Sequence, residues 1–97
     1  MLILRTLGPG PLHGVGIADR IAQITRGVLV VGPGSLFPAL HRLAENGWIE
    51  GSWGELESGR RAKFYVLTKS GRSQLAAEKR DWQRVLTAIN RVLEQEG

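Results

Sequence analysis

The stretch from Gly34 to Lys69 constrains this chain more than any other part. Ser35-Leu36-Phe37-Pro38-Ala39-Leu40-His41-Arg42-Leu43 has the spacing of a short amphipathic helix. Leu36, Ala39, Leu40 and Leu43 share one face; Ser35, Phe37, Pro38, His41, Arg42 and Glu45 share the other. Asn46-Gly47 is a helix stop. Residues 48–54 then read as a strand and Phe64-Tyr65-Val66-Leu67-Thr68 as a second one. Between them lies a polar loop, Glu55-Leu56-Glu57-Ser58-Gly59, reaching as far as Arg61. The product is a helix followed by a two-stranded ribbon with a basic tip. Two starts for the helix are open. With Ser35 as N-cap, Pro38 falls in the first turn, where its missing N–H is tolerated; with a start at Pro33, Pro38 must bend the helix.

The flanks complete a small fold. Leu2, Ile3, Leu4 and Leu7 predict an opening helix, broken by Gly8-Pro9-Gly10-Pro11. Ile17, Ile21 and Ile24, with Ala18 between, give a second helix that stops at Gly27. Val28-Leu29-Val30-Val31 predicts a short strand pairing with the hairpin, because β-branched residues suit a pleated surface. Thr68 caps a last helix running to about Gln95. On it Leu75, Trp82, Leu86, Ile89 and Leu93 form an apolar stripe with a seven-residue component. A helix of roughly 40 Å outruns a compact core, so part of that stripe is expected to meet a partner. The expected fold is mostly α with a small β-hairpin. It divides into a winged helix-turn-helix domain over residues 1–68 and a C-terminal dimerisation helix over residues 69–97.

Charge suggests the partner. The chain of 97 residues carries a net charge of +4, and its pI is near 10.4. That excess suits a polyanion without specifying a fold. Between Arg60 and Arg72 stand Arg60, Arg61, Lys63, Lys69 and Arg72 with no acidic residue. A solvated face is the ordinary reading of such a run, but beside a helix-turn-helix a nucleic-acid contact is the better one. The absence of cysteine excludes disulfides and thiolate metal sites. Two distant histidines make no metal pair. No apolar run spans a bilayer, and the first residues lack the pattern of a signal peptide, so a cytoplasmic protein is expected. Gly32-Pro33-Gly34-Ser35 lacks the glycine spacing and lysine of a nucleotide loop. No catalytic constellation and no cofactor motif stands out, so an enzyme is not expected.

Several runs resemble the PadR family of bacterial transcriptional regulators. They are Leu12-His13-Gly14-Val15-Gly16-Ile17, the run from Gly34 to Leu43, Gly47-Trp48-Ile49, Arg60-Arg61-Ala62-Lys63-Phe64-Tyr65 and Leu67-Thr68-Lys69-Ser70-Gly71-Arg72. They occur in the family's order over nearly the whole chain, and the single C-terminal helix resembles the family's small subgroup. The resemblance implies a homodimeric winged-helix protein, usually a repressor, joined through its C-terminal and often its N-terminal helix. It departs at Phe37 and Val15, where family members usually and often carry Tyr respectively. The chain also starts within the family's first helix, so reduced N-terminal dimer contacts are expected.

The expected DNA-binding residues are Ser35, Phe37, His41 and Arg42 on the recognition helix, Arg60, Arg61 and Lys63 on the wing, and His13 and Gly14 at the start of the second helix. Arg42 suits guanine or phosphate; its rival role is a pair with Glu45, worth about 0.2–0.5 kcal/mol. Phe37 suits sugar or a thymine methyl, with a core aromatic as rival. In strand alternation Arg61 and Lys63 fall on one face and Ala62 and Phe64 on the other. At His13-Gly14 backbone N–H groups suit a phosphate. The expected dimer and effector residues are Leu75, Trp82, Leu86, Ile89 and Leu93. Trp82 suits a planar or phenolic small molecule of the kind some small relatives accommodate; plain apolar packing is its rival. The expected function is a sequence-specific regulator binding double-stranded DNA as a homodimer, a repressor relieved by a small-molecule effector. The alternative is a winged-helix module that binds protein instead, supported by Glu55 and Glu57 in the wing.

Overall fold

The computed structural model describes residues 2–96. Met1 and Gly97, the outer limits of the two expected units, lie outside the described residues. The elements are α1 (Leu2–Leu7), β1 (Leu12–His13), α2 (Gly14–Ile24), α3 (Pro33–Glu45), β2 (Ile49–Glu55), β3 (Arg61–Leu67) and α4 (Lys69–Glu96). The three strands form one antiparallel sheet in the order β1-β3-β2. The fold is mostly helical with a small sheet and a long C-terminal helix, as expected.

One core joins all four helices to the sheet. Leu4 and Leu7 of α1, Ile17 and Ile21 of α2, Leu36 and Leu40 of α3, Ile49, Leu67, and Leu75 of α4 are buried in it. Each such side chain contributes roughly 1.5–3 kcal/mol by leaving water. Leu75, expected on the partner-facing stripe, is instead absorbed by this core, because the first two turns of α4 pack beside α1.

Local chemistry sets the helix ends. α3 closes in a Schellman turn: Gly47 N–H donates to the Ala44 carbonyl (2.9 Å) and Trp48 N–H to the Leu43 carbonyl (3.0 Å). The turn needs a left-handed residue, and Gly47 takes φ +75° there. α2 closes the same way, Gly27 N–H reaching the Ala22 carbonyl at 2.8 Å. α3 starts at Pro33 with Gly32 as N-cap, so Ser35 lies inside the helix and does not cap it. Pro38 then leaves the Gly34 carbonyl without its helical donor; both residues are exposed to water.

Val28–Val31 forms no strand. The segment is irregular, with Val28 81% and Val30 80% exposed. The third strand beside the hairpin is instead Leu12 and His13, which pair with Tyr65 and Phe64. The left-handed residues Arg26 and Gly27 turn the chain away, and Pro33 opens α3 at once. β-propensity alone does not bring a segment to a sheet.

α4 is tied down at its root. Thr68 N–H donates to the Trp48 carbonyl (3.1 Å), the Thr68 hydroxyl donates to the Gly47 carbonyl (2.6 Å), and Gly71 N–H donates to the Thr68 hydroxyl (3.0 Å). Gly71 lies against the Trp48 backbone so closely that a Cβ would fall inside its carbonyl oxygen and 2.8 Å from its carbonyl carbon. Beyond Lys79 every described side chain of α4 is exposed, and the molecule is 57 × 29 × 23 Å. Gly71→Ala should lower Tm by roughly 10 °C or more, since no flexible group can yield. Gly34→Ala, in open space inside a helix, should raise it by a few degrees. Thermal melts by circular dichroism read both; equal losses would show that the Trp48 contact does not dictate glycine at 71.

Candidate nucleic-acid interface

At 100° per residue, the side of α3 opposite Leu36 and Leu40 carries Gly34, Pro38, His41 and Glu45. All four are exposed. His41 Nε2 lies 3.9 Å from Glu45 Oε1, so Glu45 faces His41 and not Arg42, the pairing that was the rival role for Arg42. Such an exposed pair is weak. It leaves the Arg42 guanidinium available to a ligand. Ser35 and Arg42 sit on one shoulder of α3, where they line an apolar depression with Leu2, Ile3, Leu43 and Trp48. An arginine there rests its stem on apolar surface while its head stays in water.

Phe37 occupies the other shoulder and is 52% exposed. Its ring covers Gly14: a Cβ on Gly14 would lie 3.3 Å from Phe37 Cε1. Both readings of Phe37 therefore meet in one side chain, packed on its inner edge and open on its outer one. Gly14 itself is buried, and its lack of a side chain lets α2 and α3 approach. His13 is half-buried. Its ring meets Phe64 at a centroid distance of 5.5 Å and fills the space above Gly16. These two residues join α2 to the sheet and to α3.

The wing is more regular than the sequence suggests. β2 and β3 pair over seven residues each, from Ile49↔Leu67 to Glu55↔Arg61. The loop is shortened to residues 56–60, and Arg61 and Lys63 stand on the strand itself. The loop is compact: Leu56 N–H donates to the Arg60 carbonyl (2.8 Å) and Gly59, at φ +86°, donates to the Leu56 carbonyl (2.9 Å). Arg60 is held at the tip by that bond. Arg61 and Lys63 share one face, as strand alternation requires.

That face also holds two aromatic rings that sequence reading did not assign to the site. The Arg61 guanidinium lies 5.4 Å from the Trp53 ring centre, and the Lys63 ammonium 6.0 Å from that of Tyr65. Trp53 is 64% exposed. Cation and ring alternate along the ribbon, giving flat apolar surface beside positive charge. That combination fits sugar-phosphate backbone, since rings cover sugars while cations meet phosphates. The signal was present in the hairpin register, which sets Trp53 opposite Lys63 once the loop length is known.

On the far helix Trp82, Leu86, Ile89 and Leu93 lie on one exposed stripe with Val85 and Val92, each about half open to water. Among the described residues no group of His, Cys, Asp and Glu suits a metal. No helix of the described residues is long and apolar enough to cross a membrane.

Trp53→Ala should leave Tm within a few degrees, because an exposed side chain contributes little to folding. It should weaken binding to duplex DNA severalfold. Melting curves and fluorescence-polarisation titrations check the two halves; unchanged affinity would remove the aromatic part of the wing from the interface.

The fold and the arrangement have counterparts. A PadR family regulator from Clostridium difficile is 27% identical and superposes with a TM-score of 0.84, covering 95% of this chain and 94% of that one. Bacillus subtilis PadR, solved in complex with operator DNA, is 26% identical with a TM-score of 0.68 over 84% of this chain and 43% of that one. An uncharacterised 37.1 kDa protein in transposon Tn4556 of Streptomyces fradiae is 38% identical over 85 residues. This chain covers 88% of its own length in that match but spans only 23% of the transposon protein. Residues 3–77 match the sequence model of the Transcriptional regulator PadR-like family, and the chain belongs to that family of regulators, whose members are not enzymes.

Proposed function

We propose that this DNA-binding regulator acts as a homodimeric, sequence-specific repressor, with α3 as the helix that enters the major groove. The observation that carries the reading is the pairing of an exposed α3 crest with the cationic, ring-bearing face of the β2–β3 ribbon. Bacillus subtilis PadR in complex with operator DNA supports it by likeness. Ser35, Phe37, His41 and Arg42 face the bases and their sugars; Arg60, Arg61 and Lys63 hold the neighbouring backbone. Phosphate contacts set register and affinity, and base contacts set sequence. His13 and Gly14 support the recognition helix from behind, and any phosphate contact there is made by the backbone at the start of α2.

α4, within the segment 69–97, serves as the dimerisation helix in this reading. The support is the exposed stripe of Trp82, Leu86, Ile89 and Leu93, which two copies would remove from water. Two recognition helices then reach half-sites about one helical turn apart, roughly 34 Å. A planar or phenolic effector binding between paired Trp82 rings would change the helix angle and release the DNA. The proposed setting is the cytoplasm.

Arg61→Ala and Lys63→Ala should weaken all duplex sequences alike and flatten the salt dependence by about one unit for each phosphate left unneutralised. Arg42→Ala should instead alter sequence preference, costing about 1–3 kcal/mol at one base pair. Electrophoretic shifts over a salt series, with the DNA upstream of the protein's own gene, read both. An unchanged slope and diffuse, readily competed binding would favour the protein-binding alternative, to which Glu55 opposite Arg61 contributes by offsetting wing charge.

Ile89→Glu should convert the dimer to monomers in sedimentation velocity and abolish operator binding at the same protein concentration, since a charge in a paired apolar stripe has no partner. A variant that stays dimeric would move the interface away from this stripe.

A further inference from the structure

We propose that His13 is a positioning residue for the wing: its ring and that of Phe64 form a brace that fixes the β2–β3 ribbon relative to α3. This role rests on the reading of α3 and the ribbon as one DNA-binding surface.

The brace is built on one face of the sheet. His13 of β1 and Ser52 of β2 stand on either side of Phe64 of β3. Strand alternation puts Gly54 and Ala62 on that same face, and Arg61 and Lys63 on the other. The His13 and Phe64 rings meet tilted at 57°, with centroids 5.5 Å apart. Each ring lies over a glycine. A Cβ on Gly16 would fall 3.2 Å from His13 Nδ1 and Cε1, and one on Gly54 would fall 3.0 Å from Phe64 Cδ2. Gly16 belongs to α2 and Gly54 to the outer end of β2, so the two rings reach from helix to wing. All four residues are half-buried.

The next residue carries the other half of the link. Gly14 lies beneath the Phe37 ring of α3, where a Cβ would fall 3.3 Å from Cε1. Adjacent positions thus hold the wing and α3 at once, His13 through a ring and Gly14 through bare backbone. β1 is only two residues long, so side-chain packing must add to its backbone pairing. β2 has seven residues, a length of about 23 Å at the usual strand rise. A pivot of roughly 10° at its base moves the tip by about 4 Å, more than a hydrogen bond to phosphate tolerates. Packed rings resist that pivot, because their contacts are lost when either ring moves. His13 thereby acts through Phe64 and needs no contact with DNA.

The test combines residual dipolar couplings of the free protein with titrations of random-sequence duplex DNA over a salt series, both well below each variant's Tm. His13→Ala should average the wing amide couplings relative to those of α3. It should also weaken duplex binding about tenfold, the scale of one lost preorganising contact, with the salt slope unchanged because no phosphate contact is removed. His13→Phe, a ring without a polar donor, should restore both. His13→Asn, a donor without a ring, should behave as His13→Ala. Gly54→Ala, which pushes Phe64 aside, should shift the wing couplings and weaken binding although every cation remains. Unchanged couplings in His13→Ala would overturn the brace, and altered couplings with unchanged affinity would overturn its role in binding. Rescue by Asn and not by Phe, with a flatter slope in His13→Ala, would make His13 a direct phosphate contact and overturn the proposal. Native protein that binds duplex without salt dependence would instead overturn the DNA-binding reading, while the couplings still decide the brace.

Discussion

The geometry of this molecule depends on a small knot of hydrogen bonds around Thr68. Its backbone N–H and its hydroxyl donate to the carbonyls of Trp48 and Gly47, the two residues that end α3, while the same hydroxyl accepts from the first turn of α4. The end of α3 and the start of the long helix are thereby one rigid piece. Gly71 completes the knot by letting the helix backbone rest on the Trp48 carbonyl with nothing between them. The direction of α4 relative to α3 is therefore fixed by backbone contacts, which vary less than side-chain packing.

The side proposed to face DNA is organised by a different means. Arg61 and Lys63 are long side chains that lose rotamer freedom when they bind, a cost of up to about 2 kcal/mol each. Resting on Trp53 and Tyr65 restricts them beforehand. Gly51 contributes by absence: a Cβ there would meet the Lys63 side chain and the Tyr65 ring. The ribbon thus presents cations already extended over flat surface, and its seven-residue register carries them along a strand, where a long loop would have left them to wander.

What could be seen in the sequence was what short-range chemistry decides. Asn46-Gly47 and Thr68 announced helix ends because a left-handed turn and an N-cap hydroxyl are made by residues within a few positions of each other. The choice between Ser35 as N-cap and a start at Pro33 was open, because Pro38 can sit either in a first turn or inside a bent helix. Val28–Val31 misled, since β-propensity is local while the choice of which segment lies beside β3 is made by the tertiary fold, which puts Leu12 and His13 there. Leu75 sat in register with Trp82 and Leu86 along α4, but the first turns of α4 pack on α1 and take Leu75 into the core.

The 28 residues of α4 give it a length of about 42 Å, fixed at one end only. Such a rod is a lever. A tilt of roughly 10° at the root displaces its far end by about 7 Å, the rise of two base-pair steps along B-DNA. In the proposed dimer the fixed end carries the reading head and the free end carries the partner, so the displacement is delivered as a mismatch between the two heads and their half-sites. Sub-ångström changes near Thr68 or Gly71 need no amplification elsewhere to be felt at the scale on which DNA is read.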